Sequence, residues 1–507
     1  MASTAFKTYA HKHGGRVSLL FLLFLLALYQ FVEAGFNAFA IICLLPAIAL
    51  LVIATFHYRM FIFWVLIGVN YIIQWHSVPL PGGIPMSMYN EMFELILLAL
   101  VIIDVKEAKF ERCGNIMFMA LLAWALYCTL EVLNNTCNLG LQVGAWYSGA
   151  RMMAFQLIYA FLVYTLYITN PKLLIKYLYV WGLLALFAVF WVWKQQQFGL
   201  TSAENSFLQG RGRTTHLLQA GTLIRYFSIY GDAANFGIGI ASTAVSFLIF
   251  GITQKIKRHR YFFLTIGLAC TWGMFPSGTR TATFCLIAGF AVYIFLSKSV
   301  KIAIPVTILF SIAFFILAFT TIGNGNQSIR RMRSAFNKKD ASSAVRDINQ
   351  AVMKKYLADA PFGLGIGMGY ENVPANNKFR KLATIPPDSE YVFIWIHTGV
   401  IGITIFLFLT AVMFIGACWI VLFRLKSSSL RGIGAGLCCS FVSIQLGGYG
   451  NQVLMQFPNC LVFYGGLTLV YVLPWIENEW IAYETKMLAM QHERERLKQE
   501  KKEASRV

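Results

Sequence analysis

Two kinds of residue in this chain have the type and spacing to do chemistry. The first is a pair of carboxylates, Asp388 and Glu390, which follow Pro386-Pro387 at the mouth of an apolar run. A partly desolvated carboxylate next to a hydroxyl can take its proton as a general base. An aspartate just before a helix also serves as an N-cap, accepting backbone N–H bonds, and the two roles are compatible. The second is a set of arginines near the ends of apolar segments: Arg211, Arg213, Arg225, Arg280 and Arg346. Guanidinium groups make forked, charge-assisted hydrogen bonds to phosphate oxygens and stay charged, so several together suit a diphosphate. The plainer alternatives are lipid headgroups, or salt bridges to Asp232, Asp347 and Glu204. Arg151, Arg330, Arg331, Arg333, Arg380 and Lys381 extend the same cationic set.

Other motifs carry less. Gly363, Gly365, Gly367 and Gly369 alternate after Pro361-Phe362; they do not form a dinucleotide fingerprint and suit a tight turn with close backbone approach. His76, His216 and His397 stand alone, no Cys pair has metal-ligand spacing, and no D-x-D acid pair occurs. No metal or other cofactor is therefore expected.

The elements that must position these residues are membrane helices. Of the 507 residues, 58% are hydrophobic and 13% charged, and apolar runs match the length of a bilayer core. The predicted fold is an all-α polytopic membrane protein with about 12–14 transmembrane helices and a large external loop containing short helices. Spans are placed at 17–33, 36–56, 59–76, 87–104, 115–133, 152–169, 173–193, 227–250, 261–276, 281–297, 302–322, 391–423, 432–448 and 459–476. Residues 17–32 read as the first span and not as a cleaved leader.

Basic residues in short loops (Lys106, Lys109 and Arg112; Lys255, Lys257, Arg258 and Arg260; Arg424, Lys426 and Arg431) fall on one side with both termini, which by the positive-inside rule is the cytoplasmic side. The organisation is then 1–322 as transmembrane helices with short loops, 323–390 as the large external loop, 391–476 as C-terminal spans and 477–507 as a charged cytoplasmic tail. Within the loop, 344–357 reads as an amphipathic helix with Val345, Ile348, Val352 and Leu357 on its apolar face. The arginines face away from the cytoplasm, against the usual bias, and so call for an anionic ligand.

The net charge of +20 is explained by membrane orientation, and no nucleic-acid partner is expected. A transporter would place charges inside the spans along a pathway; here they gather in the external loops.

At these residues the chain resembles the O-antigen ligase and polymerase family of bacterial integral-membrane glycosyltransferases. The similarity rests on Arg346, on Ala351 to Asp359 followed by Pro361-Phe362-Gly363-Leu364-Gly365-Ile366-Gly367, and on Gly399-Val400-Ile401-Gly402. Upstream, Arg225-Tyr226-Phe227-Ser228 to Asp232-Ala233-Ala234-Asn235-Phe236 and Ser277-Gly278-Thr279-Arg280-Thr281 add to it. The family commonly shows His-Asn shortly before the first helix glycine; this chain has Asp388-Ser389 there, and His397 at a position usually acidic. The resemblance implies an inner-membrane enzyme acting at the periplasmic face. It would move a glycan from undecaprenyl diphosphate to a hydroxyl of lipid A–core, without metal and with inversion. A polymerase, whose acceptor is another lipid-linked glycan, is the alternative. In either case Asp388 or Glu390 is the implied base and the arginines hold the leaving diphosphate, with membrane lipids around the protein.

Overall fold

The computed structural model describes residues 59–78, 86–103, 108–218, 223–298 and 341–504, with isolated positions elsewhere. The spans expected at 17–33, 36–56 and 302–322 lie mostly outside the described residues. The chain divides into two units, 1–65 and 66–507. Apart from isolated positions, the first contributes the beginning of α1 (Arg59–Ile72), and the elements that follow belong to the second.

Among the described residues the protein is a helical membrane protein. After α1 come α2 (Met86–Ile103), α3 (Ile116–Leu130), α4 (Val143–Ala150), α5 (Gln156–Tyr167) and α6 (Pro171–Phe198). A two-residue ribbon follows, β1 (Leu217–Leu218) antiparallel to β2 (Leu223–Ile224). Then come α7 (Ala233–Thr253), α8 (Lys257–Gly273), α9 (Arg280–Leu296), α10 (Ala341–Leu357), α11 (Glu390–Trp419), α12 (Ser428–Gly450) and α13 (Gly465–Ala504). Seven described helical segments are long and apolar enough to cross a bilayer, and Met60–Ile72 and Arg280–Leu296 are shorter apolar helices.

The core centres on α7, buried along nearly its whole length and packed against α8, α9 and α12. Small residues make this possible: a Cβ on Gly237 would meet Ser277, one on Gly251 would meet Leu264 of α8, and one on Gly432 would meet Thr253. In lipid, helices associate by such close backbone approach, since apolar side chains gain little from leaving the bilayer.

Two local readings need correction. Arg151 does not open a helix: α4 starts at Val143 and runs into α5 through a π-helical stretch, Arg151–Phe155. The buried face of α10 carries Met353 and Leu357, whereas Ile348 is 64% exposed. The loop packs on that face through a small core of its own, in which Met353 and Leu357 meet Leu364, Met368, Val373, Phe379 and Leu382, and Ile348 lies off it.

Candidate functional site

Arg225 follows the ribbon. Its backbone N–H donates to His216 O at 2.9 Å, and each guanidinium nitrogen makes one hydrogen bond, which leaves an N–H on both Nη atoms for a ligand. Nε donates to Ser277 O (3.2 Å), Nη1 to Thr215 O (2.9 Å) and Nη2 to Thr279 Oγ1 (2.9 Å). These acceptors are neutral, so the positive charge is held in place without being cancelled. Ser277 and Thr279 flank Gly278, whose left-handed backbone (φ 57°) closes the turn into α9. Burial lowers the Arg225 pKa; Asp232 opposes this, and the neighbouring charges of Arg280 and Arg346 add to it. Arg280 and Arg346 are thus both within electrostatic reach of Arg225.

Arg346, on α10, donates through Nη2 to Gly450 O (3.0 Å), and its Nε lies 3.8 Å from Asp388 Oδ2. Asp388 does not cap α11; the N-cap position is Ser389, whose hydroxyl reaches across to Gly448 O at 3.0 Å. The Asp388 carboxylate stays 44% exposed beside the arginine. Glu390 is different. It is buried, and its Oε2 accepts the Leu454 N–H at 2.9 Å, with the amides of Val453 and Met455 close by. Such a carboxylate, enclosed by backbone donors, anchors a loop.

That segment, 447–459, has a positioning role that sequence reasoning missed. Besides Gly448, Gly450 and Leu454, it places Asn451 Nδ2 on Thr281 Oγ1 (3.2 Å). Phe457 O accepts from Asn235 Nδ2 (2.7 Å), and Asn459 bonds Asn235 in turn. One loop therefore ties together the segments around 235, 281, 346 and 389. Its signal in the sequence was Gly447-Gly448-Tyr449-Gly450-Asn451 at the end of an apolar helix, a turn-forming run.

The alternating glycines dock into a break in α11. Gly399 has φ 65° and ψ −169°, which frees carbonyls of the preceding turn. Leu364 N–H donates to Ile396 O (2.8 Å), Gly365 N–H to His397 O (3.1 Å), and Ile401 N–H to Pro361 O (3.3 Å). Gly363, Gly365 and Gly367 all have positive φ. A Cβ on Gly399 would sit 1.9 Å from Pro361 O, and one on Gly367 1.8 Å from Ala145 O. His397 is buried in this junction, with Nδ1 3.1 Å from Gly365 O.

The remaining residues divide. Arg211 and Arg213 are exposed just before β1, linked to Arg225 only along the chain and through the Thr215 carbonyl. Arg151 is buried and paired with Glu91 (3.3 Å). Arg380 stacks on Tyr370. Arg331 lies outside the described residues. Asp232 caps α7 through the amides of Ala234 and Asn235, and Glu204 closes a capping box with Thr201. His216 Nε2 accepts the Ala233 N–H at 3.1 Å, so its proton sits on Nδ1, near Gly212 O; burial pushes its pKa down to about 4. Among the described residues, no three of His, Cys, Asp and Glu gather as a metal site.

Residues 265–407 match a family model described as O-antigen ligase. The matched span takes in Arg280, Arg346, Asp388 and Glu390 and begins after Arg211, Arg213 and Arg225. No curated protein matches the chain.

Proposed function

We propose that this multi-pass membrane protein, whose residues 265–407 match a family model described as O-antigen ligase, is a glycosyltransferase moving a glycan from undecaprenyl diphosphate to a hydroxyl of lipid A–core at the periplasmic face. The observation that carries this reading is Arg346 beside the exposed carboxylate of Asp388, with the 447–459 segment tying Arg346 (through Gly450 O) to the start of α9, where Asn451 meets Thr281 and Arg225 meets Thr279.

In this reading Asp388 takes the proton of the acceptor hydroxyl as its oxygen forms a bond to the anomeric carbon. The bond from that carbon to the diphosphate oxygen breaks, and undecaprenyl diphosphate leaves with the electron pair. A single displacement of this kind inverts the anomeric centre. The developing charge is met by fixed guanidinium groups already oriented by the protein, the arrangement that makes electrostatic stabilisation effective. Arg211 and Arg213, exposed before the ribbon, would meet the donor as it enters. Glu390 holds the 447–459 loop, and proton transfer falls to Asp388.

Orientation supports the same reading. Asp232 begins α7 at the arginine end, while Lys255 and Lys257 follow its other end and pair with Glu484 and Glu495 of α13. Both termini are then cytoplasmic, 477–507 is a cytoplasmic tail, and 323–390 is the periplasmic loop between the spans of 1–322 and 391–476.

The test is transfer by the full chain in lipid nanodiscs from a synthetic undecaprenyl-diphosphate glycan to lipid A–core. Wild type should release undecaprenyl diphosphate with or without chelator, and Asp388→Asn should lose on the order of 10²–10⁴-fold in rate. Full activity in Asp388→Asn would remove the carboxylate from the chemistry. Growth of glycan on the lipid carrier alone would make the protein a polymerase.

A further inference from the structure

Beside Asp388 the structure has a cavity of about 120 Å³, lined by Arg346, Asp347, Asn349, Gln350, Asp388 and Tyr449 together with Met353, Pro386, Ser389 and Val392. We propose that this cavity is the subsite for the acceptor's sugar ring, with Tyr449, Asn349 and Gln350 as its specificity-determining residues. The proposal rests on the glycosyltransferase reading and names where the acceptor sits.

Three observations carry it. First, the polar groups are unspent. Asn349, Gln350 and Tyr449 line the cavity without a side-chain partner among the described residues, although nearly every other polar group around the arginine cluster is committed. Each amide offers a carbonyl acceptor and two N–H donors, the complement of vicinal hydroxyls. Second, the lining sets two carboxylates, Asp347 and Asp388, against the single guanidinium of Arg346, which is already paired with Asp388. That balance disfavours a phosphate and suits a neutral, hydroxyl-rich ligand, so the donor's diphosphate belongs with Arg225 and Arg280. Third, Tyr449 is 72% exposed at the end of α12, between the Gly448 carbonyl held by Ser389 and the Gly450 carbonyl held by Arg346. Its backbone is fixed on both sides while its ring stays free, and an aromatic face held this way can stack on the C–H face of a pyranose. At the ~10–15 Å³ that one water needs, the cavity of about 120 Å³ has room for roughly 8–12 waters, the bulk of one sugar ring and not of an oligosaccharide. A hydroxyl seated there lies beside the Asp388 carboxylate.

The test reads sugar binding without turnover. The full chain in nanodiscs is titrated with methyl glycosides of glucose, galactose and N-acetylglucosamine by saturation-transfer NMR, and in parallel with undecaprenyl diphosphate. At least one glycoside should bind. Tyr449→Ala and Asn349→Ala should each weaken it about 3- to 10-fold, Tyr449→Phe should keep the stacking and most of the affinity, and undecaprenyl diphosphate should bind all variants as it binds wild type. Tyr449 is exposed, so its truncation leaves the packing intact. No glycoside binding to wild type, equal binding by the variants, or a loss confined to undecaprenyl diphosphate would each overturn the subsite. A protein that binds glycosides here yet transfers no glycan would overturn the transferase reading and leave the subsite standing.

Discussion

The two ends of α7 hold positive charge in opposite ways. Past its C-terminal end, Lys255 pairs with Glu484 and Lys257 with Glu495, each cation spending itself on a carboxylate of α13. Near its N-terminal end, Arg225 bonds two carbonyls and a hydroxyl, while Arg346 bonds a carbonyl and also stands 3.8 Å from the Asp388 carboxylate. Neutral acceptors fix the Arg225 guanidinium without neutralising it, so it keeps a field an anion can use, while Lys255 and Lys257 at the other end are each matched by a carboxylate. Arg151, neutralised by Glu91 inside the helical bundle, shows that an arginine near the same face is not by that fact part of a site. Arg225 differs from Arg151 in the charge of its hydrogen-bond partners.

The comparison can be broken most directly by removing one cation from each end in the same transfer assay. Arg225→Ala is expected to lower kcat/KM by about 10²-fold or more, the scale of losing an oriented donor at developing negative charge. Lys257→Ala should leave the rate unchanged, as exposed pairs contribute little. Arg225→Lys should stay impaired, since an ammonium cannot make the three-way fork. Equal effects at the two ends would dissolve the distinction.

A second, smaller effect tests the scaffold that sets Arg346 and Asp388 in place. Gly399→Ala puts a Cβ against Pro361 O at a φ of 65° and should destabilise the protein by at least ~1–3 kcal/mol, seen as lower yield and earlier thermal unfolding in detergent. Gly369→Ala, where an added Cβ meets nothing within 4 Å, should unfold with wild type. If the two behave alike, the glycine run does not dock through its backbone.

The smallest effect concerns pH. His216 faces Asp232, Arg225 and His76, and its pKa is lowered to about 4, chiefly by burial. The unfolded chain, with an ordinary histidine near 6.5, binds a proton the folded one refuses. Stability from this group is therefore complete above pH ~6.5 and lost as pH falls towards 4, at no more than roughly 1.4 kcal/mol per pH unit. In His216→Gln the thermal midpoint should fall less across that interval than in wild type; an unchanged slope would mean that the histidine is not held neutral.

The sequence by itself determined the membrane helices of the described residues. The span 227–250 became α7, 391–423 became Glu390–Arg424, and 432–448 became α12 within a few residues, because apolar runs of bilayer length have few other structures open to them. The glycines of 363–367 were legible as a close approach, since the positive φ values they adopt are strained for other residues. The tertiary structure decided which polar groups are spent. Asp388 and Glu390 stand two residues apart with the same chemistry on paper, yet one faces an open cavity beside Arg346 and the other is closed in by the Leu454 amide. Five arginines look alike as letters, but only folding brings Arg280 and Arg346 into the field of Arg225 while leaving Arg211 and Arg213 at the surface. The 451–459 loop beyond α12 has almost no periodicity to read. Its role arises from hydrogen bonds to residues far away in the chain, and such bonds exist only once the helices have packed.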